Sequence, residues 1–152
     1  MNIKPIAFTV RFNGKAKELK TPVKLYSEEN INPGFNNIKD TYIAMWDTGS
    51  NMTVISDKLA KELNLKSIGE IVVDTANGKY KANKYLISIS LPNRLNIENM
   101  PISSGNLGPG VDILIGLDLI TLGDFSITNI DNKTVFSFRF PSTKEIDYVK
   151  EN

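Results

Sequence analysis

The residues best equipped for chemistry stand together as Asp47-Thr48-Gly49-Ser50, at the end of the apolar run Ala44-Met45-Trp46. A carboxylate takes up and gives back a proton, and each neighbour adds a physical property. Gly49 lets the backbone turn sharply and approach another loop without a Cβ clash. The Thr48 hydroxyl can brace a facing loop through its backbone. Ser50 can donate a hydrogen bond to the Asp47 carboxylate, which favours the charged form and lowers its pKa. The chemistry in reach is acid–base activation of water by two carboxylates sharing one proton, because like charges about 3 Å apart cannot both ionise. The motif occurs once in 152 residues, so a second such carboxylate must come from another copy of the chain. The competing reading is an Asp-Thr-Gly turn after a strand, sound turn chemistry without catalysis.

Composition removes most other reactions. The chain has no histidine and no cysteine. That excludes Cys-His and Ser-His-Asp nucleophiles, histidine acid–base work and nearly every zinc site. Asp112, Asp118 and Asp124 lack calcium-loop spacing and read as turn and cap residues, so no metal and no other cofactor is expected. Residues 103–110 (SSGNLGPG) lack the Gly-Lys-Ser/Thr ending of a phosphate loop. Lys4, Arg11, Lys15, Lys17, Lys20 and Lys24 make the N-terminal part basic, with little aromatic interleaving. Edge strands carry lysine to block pairing, and at a formal net charge of +1 no nucleic-acid partner is expected. No run approaches the ~18 apolar residues of a membrane span, and residues 1–7 lack the apolar core of a signal peptide. The expectation is a cytoplasmic protein with no membrane partner. The 41% hydrophobic and 23% charged fractions are ordinary for a globular domain.

The elements that must position Asp47 read mostly as strands. Residues 6–12 and 15–24 flank Asn13-Gly14, a hairpin signal. Residues 27–40 are polar with Pro33-Gly34 and read as a loop. Residues 41–46 form the strand that delivers Asp47, and Thr53-Val54-Ile55 is a short β-branched run. Ser56 caps a helix over about 57–64, with Leu59 and Leu63 on one face. Ile71-Val72-Val73 and Tyr80 onward flank a second turn at Asn77-Gly78, and 84–91 alternate as a half-buried strand. Residues 103–110 read as a loop, 111–116 as an apolar strand ending in glycine, and 117–122 as a short helix ended by Gly123. Two last strands, around FSITNI and TVFSFRF, put Phe136, Phe138 and Phe140 on one face. Residues 1–141 read as one domain, and the charged tail 142–152 is expected to fray.

With AMWDTGSNMTVIS at 44–56, an Asn-Gly hairpin tip at 77–78 and ILIGLDLI at 113–120, the chain resembles the retropepsin-like aspartic proteases. GDFSIT and TVFSFRFP, over 123–141, resemble their bacterial and phage-borne branch. The resemblance covers roughly residues 40–141. It implies an all-β, closed antiparallel barrel-like fold with one or two short helices. It implies an aspartic endopeptidase with Asp47 as the catalytic aspartate and Thr48, Gly49 and Ser50 as its loop. It implies a flap over 70–86 whose tip residues Asn77, Gly78, Lys79 and Tyr80 meet substrate, and a prop of Leu114, Ile115 and Gly116 under the loop. It implies an obligate homodimer that binds a polypeptide as an extended strand. Asp74-Thr75-Ala76 lacks the glycine for close approach and reads as flap backbone. Retroviral members carry an ion pair four positions after the aspartate and just after the hydrophobic-Gly element. Here those positions are Asn51 and Leu117, so the pair is missing. The alternative from another class is a catalytically silent protein that keeps this fold for peptide binding or dimerisation.

Overall fold

Alternation of apolar and polar residues builds a closed ring of strands in the computed structural model, which describes residues 4–151. In β2 (Leu19–Tyr26), Thr21, Val23 and Leu25 point inward while the residues between them face out. It pairs antiparallel with β3 (Tyr42–Trp46), which runs parallel to β8 (Ile113–Ile115). β8 is flanked on its other side by β4 (Val54–Ser56), antiparallel to it. β4 runs parallel to β7 (Leu95–Gly105), and β7 pairs antiparallel with the long β6 (Gly78–Leu91). Residues Ser88 to Ser90 of β6 then return to β2 and close the ring. The fold is therefore all-β and barrel-like as expected, except that two of its pairings are parallel. Both of these flank the strands that lead to and from Asp47.

Before its long pairing with β7, β6 forms a hairpin with β5 (Gly69–Thr75) that projects from the ring. A separate sheet of β1 (Ile6–Arg11), β10 (Val135–Phe140) and β9 (Asp124–Thr128), in the order β1-β10-β9, packs on the ring through aromatic rings. Phe8, Phe125, Phe136 and Phe138 gather around Trp46, with ring centroids 5.0 to 6.0 Å from the indole. Edge-to-face and tilted contacts of this kind each add about 0.5–1.5 kcal/mol beyond area burial. The indole N–H is satisfied by Thr21 Oγ1 at 2.9 Å, so the residue before Asp47 is held on all sides.

Two short helices complete the chain. α1 (Asp57–Glu62) is capped by Ser56, whose Oγ accepts the Leu59 N–H at 3.1 Å, as the sequence predicts. α2 (Leu117–Ile120) follows Gly116 directly.

Three expectations need correcting. Asn13-Gly14 makes no hairpin, because β1 pairs with β10 and β2 with β3 and β6. The turn instead wraps Thr134, whose N–H donates to the Gly14 carbonyl at 3.1 Å and whose Oγ1 accepts the Ala16 N–H at 2.8 Å. Ser103-Ser104-Gly105 is not loop but the buried end of β7, where small side chains fit between β4 and β6. Gly123 does not cap α2 by a left-handed turn. A Cβ there would lie 2.1 Å from the Arg139 carbonyl oxygen, so the glycine serves close backbone contact.

The tail is fastened at its start. Asp124 accepts hydrogen bonds from the Ser142 hydroxyl, the Thr143 N–H and the Arg139 guanidinium. The Ser142 hydroxyl first, with Thr143 and Arg139, draws its pKa from 3.8 to about 2 against the opposing effect of burial.

Candidate active site

β3 ends in the buried Trp46, and the chain turns at once through Asp47-Thr48-Gly49-Ser50. The Asp47 N–H still pairs with the Ile115 carbonyl at 2.9 Å, so the carboxylate leaves from the last rung of the parallel β3–β8 ladder. The Ser50 N–H closes the turn onto the Asp47 carbonyl at 3.2 Å. Asp47 is half-buried, while Thr48 and Gly49 are exposed at the tip. Asp47 Oδ1 accepts the Gly49 N–H at 2.8 Å, which fixes the carboxylate over the turn. A Cβ on Gly49 would stand 3.1 Å from that same oxygen and crowd it. The Ser50 hydroxyl does not reach Asp47: it donates to the Met52 carbonyl at 2.7 Å and braces the loop's return.

The structure brings 114–116 under this loop. Gly116 has no room for a side chain, since a Cβ would meet the Met52 carbonyl oxygen at 2.4 Å and the Ser50 carbonyl oxygen at 2.9 Å. Both are backbone atoms, so nothing there can swing aside. The Leu117 N–H donates to the Ser50 carbonyl at 2.8 Å, and the Asp118 N–H to the Asn51 carbonyl at 3.3 Å. Asn51 and Leu117, the positions without the ion pair, thus sit among main-chain bonds that join the loop to α2.

Two supporting residues escaped the sequence reading. Asp118 grips Thr53 twice, accepting its N–H at Oδ2 (2.8 Å) and its hydroxyl at Oδ1 (2.7 Å). Thr53 Oγ1 in turn accepts the Gly116 N–H at 3.2 Å. The chain Asp118–Thr53–Gly116 clamps both sides of the Asp47 loop with a charge-assisted bond at its root. Its signal in the sequence is an acidic residue in the first turn after Gly116, which reads equally well as a helix cap.

The hairpin residues fall into two groups. Asn77, Gly78 and Lys79 lie at the exposed turn, where the Thr75 hydroxyl donates to the Gly78 carbonyl and Lys79 stands 3.6 Å from Asp74. Asp74 and Thr75 are turn scaffolding, as read from the sequence. Tyr80 instead reaches back to the ring: its hydroxyl lies 3.1 Å from where a Gly105 Cβ would be, beside Val54. Among the described residues, no hydrogen bond links the hairpin tip to Asp47.

Two of the other aspartates are engaged elsewhere, Asp112 with the Ile43 N–H at 2.9 Å and Asp124 with the tail. Among the described residues, no group of three or more acidic, histidine or cysteine side chains is gathered as a metal site requires. Among them too, no helix is long and apolar enough to cross a membrane.

The family model described as aspartyl protease matches residues 32–119, more than half of the chain. No curated protein sequence gives a significant match. Among solved structures, a retropepsin-like aspartic protease from Rickettsia conorii shares the fold at 18% identity and a TM-score of 0.54, over 90% of this chain and 96% of that one. The EIAV protease in complex with an inhibitor superposes more loosely, with a TM-score of 0.49 and 13% identity over 68% of this chain and 86% of its own. The segment matched by the family model runs from the loop before β3 to α2 and holds both the Asp47 turn and its Gly116 support. With that match and a fold shared with the Rickettsia enzyme, the chain belongs to the aspartyl protease family and has a retropepsin-like fold.

Proposed function

We propose that the protein is an aspartic endopeptidase, active as a homodimer with Asp47 of each copy at a shared site. The observation that carries this reading is the Asp47 turn itself. A half-buried carboxylate is fixed by the Gly49 N–H, and the Thr48-Gly49 tip beside it is exposed, with no side chain at Gly49 to obstruct a second loop. One chain supplies one such turn, and the chemistry needs two carboxylates.

The ionised Asp47 takes a proton from water as the water oxygen attacks the peptide carbonyl carbon. The protonated Asp47 of the second copy hydrogen-bonds the carbonyl oxygen and passes it that proton, giving a neutral tetrahedral diol. The carboxyl that took the water's proton then gives it to the amide nitrogen, while the other, now ionised, carboxylate removes a proton from one diol hydroxyl. The C–N bond breaks, an acid and an amine leave, and the pair again holds one proton. No cofactor enters this sequence.

The substrate lies as an extended strand between the β5–β6 hairpin and the ring, with main-chain hydrogen bonds to both. Tyr80 faces that space, while Asn77, Gly78 and Lys79 form the moving tip. The cysteine-free composition suits a reducing compartment such as the cytoplasm.

The test is cleavage of a peptide library between pH 4 and 7 by the wild-type chain and by Asp47→Asn. The expected outcome is cleavage by the first and loss of at least roughly a thousandfold in the second. Cleavage that survives the substitution removes Asp47 from the chemistry. No cleavage by a confirmed dimer favours a silent peptide-binding module.

A further inference from the structure

One edge of β6 is covered by two different strands. β5 pairs with it from Gly78 to Lys84 and β2 from Ser88 to Ser90, while β7 holds the opposite edge. Tyr85, Leu86 and Ile87 lie in the gap that neither strand reaches. This gap is the joint at which the projecting hairpin meets the closed ring. Main-chain groups left unpaired there would be costly, so something must satisfy them.

A side chain does so. Asn32 is completely buried, the one side-chain amide that is buried among the described residues. Its Nδ2 donates to the Leu86 carbonyl at 3.0 Å and to Ser27 Oγ at 2.6 Å, and its Oδ1 accepts the Lys66 N–H at 2.8 Å. Ser27 is the first residue after β2, and Lys66 stands three residues before β5. The amide therefore acts as the peptide group of a missing strand, donating to β6 and accepting from the chain that becomes β5. Asparagine suits this position because it offers donor and acceptor together on a short stem. The loop that carries it is itself fixed to the end of α1. Asn36 N–H donates to the Leu63 carbonyl at 3.1 Å, and Asn64 Nδ2 to the Gly34 carbonyl at 3.2 Å.

Beyond this joint the hairpin has little packing of its own. From Gly69 to Ala82, Ala82 alone is buried. Its direction is therefore set at the root, where the Ile68 N–H makes the last rung to the Lys84 carbonyl at 2.8 Å. We propose that Asn32 is the pin of this joint, a positioning residue that fixes the angle at which the hairpin leaves the ring. It makes no hydrogen bond to Asp47 and acts through Lys66 and Leu86. By holding both strands at their root, it sets how firmly the hairpin closes over a bound peptide. That last step rests on the reading of the hairpin as the cover of a substrate cleft; the pinning does not.

The test is hydrogen–deuterium exchange of the full chain, read as the ratio of exchange rates in residues 70–82 to those in β3 and β8. Asn32→Ala should raise that ratio at least roughly tenfold, since the hairpin then opens without the ring. Asn37→Ala is the control: Asn37 lies in the same loop but is bonded to the Tyr42 hydroxyl and the Leu25 carbonyl, so the ratio should not change. Should Asn32→Ala fail to fold, Ser27→Ala removes one acceptor of the amide and should still raise the ratio by roughly twofold or more. In peptide cleavage, Asn32→Ala should raise KM at least roughly fivefold and hold kcat within about twofold.

Equal acceleration in hairpin and ring would make Asn32 an ordinary stabilising residue and overturn the proposal. So would the same change of ratio from Asn37→Ala. An unchanged ratio in Asn32→Ala, or in Ser27→Ala where the first does not fold, overturns it as well. A loosened hairpin with KM unchanged overturns its part in substrate binding. A loosened hairpin in a chain that cleaves no peptide keeps the pin and removes the protease reading.

Discussion

Asp47 Oδ1 takes its hydrogen bond from the Gly49 N–H, and the Ser50 hydroxyl is spent on the Met52 carbonyl. The serine therefore shapes the loop and makes no hydrogen bond to the carboxylate, contrary to what the bare tetrapeptide suggests. Ser50→Ala should leave the acid limb of the pH–rate profile in place, to be read from kcat/KM between pH 3 and 7. A displaced limb would restore direct contact with Asp47. Gly116 is the stricter position. An added Cβ would meet two backbone carbonyls, and a shift of the loop by the order of 1 Å costs about a hundredfold in rate. Gly116→Ala should lose that much activity and destabilise the fold by about 1–3 kcal/mol, followed by peptide cleavage and thermal melting. At this scale the sequence was readable where a residue's job is local. Gly49 announces itself by type and neighbours, whereas Gly116, which packs on the distant Ser50 and Met52 carbonyls, was placed under the loop only by the family resemblance. The Thr53–Asp118 grip does not announce itself, because its partners lie 65 residues apart and each has a plainer reading as a strand or cap residue.

Among the elements, the same contrast separates α1 and the β5–β6 turn from the N-terminal strands. Ser56 and Asn77-Gly78 act on their own few residues and were placed correctly. Asn13-Gly14 carries an equally strong local signal, yet β1 takes its partner from the other end of the chain, with Thr9 bonded to Ser137 across 128 residues. No local pattern encodes that choice. β7 was hidden for a different reason: Ser103, Ser104 and Gly105 look like loop residues but are buried, selected for size beside β4 and Tyr80. The joint between β9, β10 and the tail makes its own prediction. Asp124 is drawn from 3.8 to about 2, so folding favours its charged form. The unfolded chain binds more protons between those values, so this contribution is fully present above about pH 4 and is lost as pH falls toward 2. Asp124→Asn should lower the melting temperature most at pH 5 and above. The gap to wild type should close as pH falls through that window. A gap independent of pH would assign the joint to packing and not to charge.

Across the whole molecule, the closed ring holds Asp47 on a rigid ladder, while the separate β1-β10-β9 sheet covers Trp46. The ring makes the carboxylate precise, and under the proposed mechanism a single copy supplies one of the two carboxylates needed. The proposed protease activity requires two chains. The most direct measurement of that claim is the activity of mixtures of wild-type and Asp47→Asn chains, unfolded and refolded together at fixed total concentration so that subunits randomise. If both Asp47 carboxylates act in one site, an equimolar mixture should keep about a quarter of the activity of an all-wild-type sample. A value of about one half would mean that each chain works alone, and would contradict the account.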